Sequence, residues 1–535
     1  MIVLAQLSLS SPAKADSYVF GDGTQASCTW SNFSPWYENL KNSVLNDLRI
    51  SFNCGGPATL YVERAIEPEA NYTEIDGGGL ITLDGRGQNR LVEHREWNFV
   101  LKNISLTNGS AFSTNSNLVD VNGSGGAILS EQASNAKPAS LTLINVTISN
   151  SKSLHSQVSF TVPPTFDNGG GGLYARNEPV TIINSRFTGN ETQMSGGGAH
   201  FRSANVTIQG STFDSNSSGD LGFGGAIHMD GGPIKLTSTI FQNNIANNQG
   251  GAVYLYLYGW KGETFEIVGS VFSGNIVVSN PGKIYWPEDK TYMAAGTNFG
   301  GGLAIDGSGD QAVPYASGII RNSSFVNNSA GQVGYGGGIS LTKTRSVTID
   351  TITISGNTAN KDPNFNYIGG GGGIYSSGST DSFVVMNSTI TENQSGYDGG
   401  GIQHNSEIGT LSNTIVANNV SARTIGSQCY RPSNDFVAFQ EGKGNFQYPT
   451  AVTTRDVYCS PLVETVDPQL GPLVTNTAFP PYHIPADNSP VIDAGVCTAT
   501  RIDQRGYPRP LGKGCDSGAV ENGIPDFLYL PNIFR

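Results

Sequence analysis

Gly224-Gly225-Ala226-Ile227-His228, followed by the strand Ile234-Lys235-Leu236-Thr237 and closed at Asn244, is one statement of a unit that recurs between Gly125 and His404. The glycine word returns as Gly250-Gly251-Ala252-Val253-Tyr254, and Gly-rich equivalents end at Leu173, Ala199, Leu303, Ile339, Ile374 and Ile402. The closing half reads Ser185-Arg186-Phe187-Thr188-Gly189-Asn190, Ser211-Thr212-Phe213-Asp214-Ser215-Asn216, Ser270-Val271-Phe272-Ser273-Gly274-Asn275, Ser323-Ser324-Phe325-Val326-Asn327-Asn328 and Ser388-Thr389-Ile390-Thr391-Glu392-Asn393. A short, nearly constant period of this kind marks stacked coils. An α/β crossover unit would need helical patterning between its strands, whereas Val206-Thr207-Ile208-Gln209 and Ile234-Lys235-Leu236-Thr237 alternate apolar with polar.

Three short strands per turn fit the unit, so the expected fold is all-β: a single-stranded right-handed parallel β-helix, a solenoid with rungs about 4.8 Å apart. Glycine supplies positive φ at one corner, and asparagine can build a side-chain hydrogen-bond ladder at another. Positions in the unit thereby become columns along the stack.

The chain has 535 residues, 69 of them glycine, with 14% charged residues and a net charge of −13. That describes a turn-rich acidic β protein without a basic patch, which excludes nucleic acid as an expected partner. Residues 1–15 carry an apolar stretch and a small-x-small pattern ending Ala13-Lys14-Ala15, read as a secretory signal; its missing basic n-region is consistent with a truncated or miscalled start, and an uncleaved ordinary N-terminal strand is the alternative. No later stretch is long and apolar enough to span a bilayer as a helix. The expected location is secreted or cell-surface.

The six cysteines stand only outside the repeats. Local bridges Cys28 to Cys54, Cys429 to Cys459 and Cys497 to Cys515 would staple the N- and C-terminal caps of the solenoid and suit an exported protein. Other pairings stay open; a zinc site is disfavoured because no two cysteines have Cys-x-x-Cys spacing. The expected layout is an N-terminal cap over 16–75, coils over 76–420, a C-terminal module over 421–525 and an apolar tail over 526–535. Within the first cap, Ser34-Pro35 opens an expected helix with apolar positions at Trp36, Leu40, Val44 and Leu48, followed by strands near Ile50–Phe52 and Thr59–Val62. The long insertions, Ser151 to Asn168, Ile276 to Asn298 and Thr358 to Tyr367, all fall between the Asn corner and the next glycine run. They emerge from one edge, which solenoids use for binding or tolerate as neutral loops.

Beyond Val420 the repeat gives way to Asp487-Asn488-Ser489-Pro490-Val491-Ile492-Asp493-Ala494-Gly495, Asp503-Gln504-Arg505-Gly506-Tyr507-Pro508-Arg509-Pro510 and Cys515-Asp516-Ser517-Gly518-Ala519-Val520-Glu521. These words resemble the C-terminal module of secreted bacterial choice-of-anchor Q proteins. The glycine and Phe-x-x-Asn words resemble polymorphic outer-membrane-protein repeats, within the wider pectin-lyase-like superfamily. Together the resemblance covers about Asp76 to Glu521 and implies a surface-associated protein; many such proteins have no assigned chemistry.

If Ile227 faces inward, His228 faces out, Met229 in and Asp230 out. The first outward column is then Leu129, Tyr174, His200, His228, Tyr254, Ala304, Ser340, Tyr375 and Gln403, and the second Glu131, Arg176, Arg202, Asp230, Tyr256, Asp306, Thr342, Ser377 and Asn405. Tyr174, His200, His228 and Tyr254 beside Arg176 and Arg202 form the expected carbohydrate-binding patch, rings offering flat faces to pyranoses and cations holding uronates or sulfates. His200, His228, Arg202, Asp230 and Asp306 are the catalytic candidates should the protein be a lyase or hydrolase. A ladder of like residues that merely stabilises adjacent rungs is the competing account. Against an enzyme, the polygalacturonase words Asn-Thr-Asp, Asp-Asp and Gly-His-Gly and the pectate-lyase word Arg-x-Pro-x-x-Arg are missing.

A second aromatic set, Phe223, Phe299, Tyr335, Tyr367 and Tyr397, stands just before the glycine corners and is assigned to corner packing. Tyr285-Trp286, in an insertion, is a further surface-contact candidate. Asn103, Asn145, Asn184, Asn322, Asn387 and Asn413 precede the third strand; their regular recurrence favours an asparagine ladder over glycosylation. No cofactor or metal is expected; calcium stays open but is not indicated, because EF-hand spacing to a terminal Glu is missing. Three functions stay open: a structural or adhesive surface protein binding polysaccharide or surface glycan along one face, a polysaccharide lyase or glycoside hydrolase, and an envelope component that self-associates.

Overall fold

The computed structural model describes residues 16–523 except 44–45, 114–120, 134–137, 156–167, 220–221, 279–283, 287–290, 294–297, 308–314, 332–333, 360–368, 379–380, 406–408, 423–426, 433–437, 440, 451–456 and 476–477. The signal stretch, the apolar tail, Tyr367 and most of the long insertions lie outside the described residues.

Nearly every strand pairs in parallel with its counterpart one coil away. Ile227–Asp230 lies between Ala199–Arg202 and Val253–Tyr256, with His228 opposite both His200 and Tyr254, the register read from the glycine words. The strands after the glycine corners form an 11-stranded sheet, the two following strands of each coil belong to a 23-stranded sheet, and two-residue strands such as Ile245–Ala246 and Ile276–Val277 line the remaining edge. This is the expected right-handed parallel β-helix, the hand that parallel crossovers adopt.

Inside the stack, the period-two alternation buries Val206, Ile208, Leu236 and Ile267 and leaves Lys235 outside. Phe187, Phe213, Phe241, Phe272 and Phe325 stack on one another with ring centroids 4.4–5.2 Å apart. Beside them runs the asparagine ladder of the Phe-x-x-Asn words. Asn190, Asn216, Asn244, Asn275, Asn328, Asn357 and Asn393 each donate Nδ2–H to the Oδ1 of the next coil's asparagine at 2.9–3.0 Å. The same Nδ2 reaches back to a strand carbonyl of the preceding coil, as from Asn244 to Phe213 O at 3.0 Å. Asn419 closes the row by donating to Gln428 Oε1 at 2.9 Å, a terminus that the repeat did not reveal because glutamine breaks the word.

The other asparagines behave differently. Asn103, Asn145, Asn184, Asn322, Asn387 and Asn413 occupy left-handed backbone, with φ between 48° and 53°, and turn the corner before the third strand. Asn387 and Asn413 are buried and bonded to each other, whereas Asn145 and Asn184 are exposed, so burial does not account for that whole column.

At the N-terminal end, parallel pairing begins before the first glycine word, with Asp16–Phe20 against Asp47–Phe52. The helix spans Trp30–Ser43 and so starts ahead of Ser34-Pro35, with Pro35 inside it. The cause is tertiary: Trp30 and Phe33 are buried against the first coil, Phe33 contacting Phe20 and Phe52 at 5.1 and 5.7 Å, and this burial outweighs the proline penalty. Leu48 belongs to the following strand, not to the helix, and Val44 lies outside the described residues. The three disulfides join the cysteines pairwise as expected, Cys28–Cys54, Cys429–Cys459 and Cys497–Cys515.

The C-terminal words do not simply sit over the last coil. After Phe446–Tyr448 pairs with Ile415–Ala417, the chain runs back along the flank of the stack. Ser324 Oγ donates to Pro481 O at 2.6 Å, Thr353 Oγ1 to Gln504 Oε1 at 2.6 Å, and Ala519 N to Thr389 Oγ1 at 3.0 Å. Ser355 Oγ meets His483 Nε2 at 2.9 Å. These hydroxyls point outward from their strands and would face water on a bare coil. Covered by this segment, Ser324, Thr353, Ser355 and Thr389 are all buried.

Candidate functional site

The outward columns exist as read, yet the first is not a surface. Tyr174, His200 and His228 are essentially fully buried and Tyr254 nearly so, because the segments before the glycine corners fold over the strand face. Phe223 lies 5.8 Å from His228 and 4.7 Å from Tyr254, ring to ring, and forms with Tyr254 and Ala304 a small apolar cluster outside the main core. Further along, Tyr335 and Tyr375 meet at 4.6 Å and Phe299 stacks on Tyr335 at 5.4 Å. Corner packing is therefore the observed role of Phe223, Phe299 and Tyr335, and it closes the face expected to bind sugar. Strand alternation says which side of the sheet a residue takes, not what later packs on that side.

Beneath Phe223 the two imidazoles stack at 4.5 Å, Tyr174 meets His200 edge-on at 5.2 Å, and His200 Nδ1 lies 3.2 Å from Asn168 O. Among the described residues His200 Nε2 and His228 Nδ1 have no hydrogen-bond partner. Burial draws His200 down to about 3 and holds His228 well below the ordinary histidine range, so both rings stay neutral. Imidazoles this buried and this weakly basic are poorly placed to take a proton from a polymer.

The second column stays at the rim. Arg202 Nε sits 3.5 Å from Asp230 Oδ2, and Asp230 Oδ1 accepts from Tyr258 O–H at 2.8 Å. Arg176, Arg202, Tyr256 and Asp306 are half-buried, while Asp230 is buried. Asp230 and Asp306 thus share an edge two rungs apart, with Tyr256 on the one rung between them, and Asp230 is already engaged by two neighbours. Tyr285-Trp286 pairs with Thr291–Met293 as an antiparallel hairpin, but its side chains lie outside the described residues.

A polar group inside the solenoid escaped the column reading. His94 Nδ1 lies 2.7 Å from Ser130 Oγ and 3.7 Å from Glu178 Oε2, all three buried. His94 Nε2 faces Trp97 O at 3.2 Å, which requires its proton, so Nδ1 accepts from the serine hydroxyl. Among the described residues neither Glu178 oxygen has a hydrogen-bond partner, and burial pushes its carboxyl up to about 8 while drawing His94 down to about 4. Glu178 holds a proton in the folded chain that the unfolded chain releases, so stability falls as pH rises from the ordinary glutamate value of 4.5 through about 8. His94 acts oppositely, costing stability as pH falls from 6.5 towards about 4. Glu178→Gln is accordingly expected to leave the denaturation midpoint unchanged at the acidic end and to raise it increasingly over the parent up to about pH 8. Urea titrations across that window decide the matter, and parallel curves for the two proteins would refute it.

Near this group a cleft lined by Glu67, Glu69, Glu93, Arg95, Glu96 and Trp97 gathers carboxylates, but most are committed. Lys41 binds Glu69 at 2.9 Å and Glu67 at 3.5 Å, and Arg95 pairs with Glu93 and Glu131. Among the described residues there is no cluster of three or more His, Cys, Asp or Glu able to hold a metal ion, and no helix is long and apolar enough to cross a membrane.

No curated protein matches the chain. Residues 238–256 match the family described as the Chlamydia polymorphic membrane protein repeat. That stretch runs from the Phe241 and Asn244 rungs through the corner Gly250-Gly251 to Tyr256, the unit on which the stack is built. The chain is thus a parallel β-helix that carries a repeat of the polymorphic-membrane-protein type, compatible with a place at the cell surface.

Proposed function

We propose that the protein is exported and displayed at a cell surface, where the β-helix is a structural and adhesive shaft that touches polysaccharide along one side. The observation that carries this reading is the sealing of the two histidine candidates and the engagement of Asp230. His200 and His228 are buried under Phe223, and Asp230 is tied to Arg202 and Tyr258, which suits a rigid scaffold better than a polymer-cleaving groove. The repeat match and three disulfides support an exported, surface-associated protein. Purified protein is expected to be retained by at least one polysaccharide of an acidic and neutral panel without generating reducing or unsaturated ends. New ends that vanish in His228→Ala would overturn this reading in favour of a lyase or hydrolase.

Lateral association of shafts is a second reading favoured by one observation. Ile245, Ile276 and Val278 are exposed on neighbouring rungs, at 39%, 40% and 45%. Sedimentation that becomes concentration-dependent, and loses that dependence in Ile276→Lys, is the expected sign of it.

A further inference from the structure

The strand Val253–Tyr256 does not end in the tight turn used by its neighbours. It continues through Leu257 and Tyr258 into a short 3-10 turn, Gly259–Lys261, that lifts aromatic side chains off the rim. Tyr256 meets Tyr258 edge-on at 5.5 Å and Tyr258 meets Trp260 edge-on at 6.3 Å, with Trp260 46% exposed.

This projection is held from several sides. Tyr258 O–H donates to Asp230 on the preceding rung at 2.8 Å, and Tyr258 N donates to Glu263 Oε2 at 2.6 Å. Its ring lies on Gly231, where an added Cβ would come within 2.4 Å of the ring carbon Cε2. Gly262, with φ 74°, closes the turn in a conformation that favours glycine. An exposed aromatic pair with no task needs none of these anchors, and pre-ordering is what lowers the entropic cost of holding a ligand.

The charges around the rings select the ligand. Both carboxylates that hold the turn, Asp230 and Glu263, are buried and engaged, at 6% and 8% exposure. Asp306 is on the following rung, beyond Tyr256, whereas Tyr258 leans back over the preceding one. Within the turn itself, the charge that faces solvent is Lys261, whose ammonium sits 4.4 Å from the Tyr258 ring centre and 5.1 Å from that of Trp260. On a chain of net charge −13, a solvent-facing cation seated on exposed rings is a local inversion of sign.

We propose that Tyr258, Trp260 and Lys261 form a binding shelf for an anionic saccharide, with a pyranose ring stacked on Trp260 and its carboxylate or sulfate paired with Lys261. The assignment rests on the adhesive reading and names both its ligand class and its site, on the rim beyond the end of the strand that carries Tyr254 rather than on the buried column first expected to bind sugar. Arg202, half-buried on the same rim and already paired with Asp230, fixes the edge rather than the ligand.

The test measures affinity of the full chain for polygalacturonate and chondroitin sulfate, with uncharged dextran and galactomannan as comparators, by affinity electrophoresis and calorimetry. Trp260→Ala is expected to weaken binding of the anionic polymers at least tenfold, and Lys261→Gln to weaken it and flatten its salt dependence. Tyr61→Ala, which removes an exposed ring under Arg86 at the far end of the shaft, is expected to change nothing. Parental binding by Trp260→Ala would overturn the shelf and leave the adhesive reading intact. Preference for the uncharged polymers would overturn the anionic assignment, and no retention of the parent on any polymer would overturn both. Because Trp260 is exposed, an unchanged circular dichroism spectrum is expected for each variant, and altered binding together with an altered spectrum is answered by Lys261→Gln, which keeps a side chain of similar length at an exposed position.

Discussion

Asn244→Ala is expected to destabilise the shaft by about 3–5 kcal/mol, one of the largest effects available to a single side chain here. Asn244 Oδ1 accepts from Asn216 N and Asn216 Nδ2 at 3.0 Å each, and its Nδ2 donates to Phe213 O and Asn275 Oδ1. Removing the amide deletes these bonds, leaves Asn216 N–H buried without its acceptor, takes the Asn244 donor from Phe213 O, and strips Asn216 Nδ2 of one of its two acceptors, the other being Phe187 O. An unmade buried bond costs about 1–3 kcal/mol, more than a made one contributes, so the orphaned groups dominate the loss. Asn244→Asp separates the two sides of the bond. A carboxylate can still accept from Asn216, but it cannot donate to Phe213 O and it places negative charge against Asn275 Oδ1. The aspartate variant is therefore expected to be damaged at neutral pH and partly restored on acidification, when the carboxyl regains a proton to donate. Urea unfolding at two pH values measures both, and a loss below about 1 kcal/mol for the alanine variant would show that water replaces the ladder.

The second large effect concerns the flank. Arg509→Ala is expected to release the C-terminal segment from the coils while leaving the shaft folded. Arg509 is buried, and its Nη1 donates to Glu521 Oε1 and Asp516 O at 3.0 Å while Nη2 donates to Gly518 O at 2.6 Å. Next to it Asp503 takes a two-pronged bond from Arg505, at 2.9 and 2.8 Å. Burial already raises the Glu521 and Asp516 carboxyls above their ordinary values, so neither tolerates the loss of its cation. Breaking one side of a buried pair of this kind costs about 3–5 kcal/mol. Hydrogen exchange should then rise over Tyr482–Pro485 and over 503–521, and also at Ser324, Thr353 and Thr389, whose hydroxyls that segment covers. Arg509→Lys keeps the charge but not the planar fork, and an intermediate rise is expected of it. Uniform loosening of all coils would mean that the segment is integral to the stack rather than clamped onto it.

The C-terminal words also illustrate how a distinctive motif can be structural. Asp503, Arg505, Arg509, Asp516 and Glu521 are the residues that make those words recognisable, and all are buried in one ionic network. Their spacing in sequence is short, so the motif was visible. Its place along the flank was not, since it depends on contacts made across 128 to 181 residues of chain.

The coil, the register and the ladders are legible in the order of the amino acids alone. Each of these repeats a local rule, glycine where φ must be positive, alternation where one face is buried, asparagine where a rung needs a donor and an acceptor, and a rule repeated at a constant period is legible without any knowledge of the fold. That order also placed His200 beside His228 and Arg202 beside Asp230, because parallel stacking turns equal positions in the unit into neighbours. Only the tertiary structure decided which of those neighbours meet water. Phe223 covers the imidazoles from a corner outside the strand period, Trp260 rises from an irregular turn, Trp30 and Phe33 start the helix early because the first coil offers them a surface, and the C-terminal segment hides outward hydroxyls from the far end of the chain. Periodicity assigns a side chain to a face of its own strand, but exposure is set by whatever non-repeating segment packs onto that face, and such packing leaves no period in the sequence.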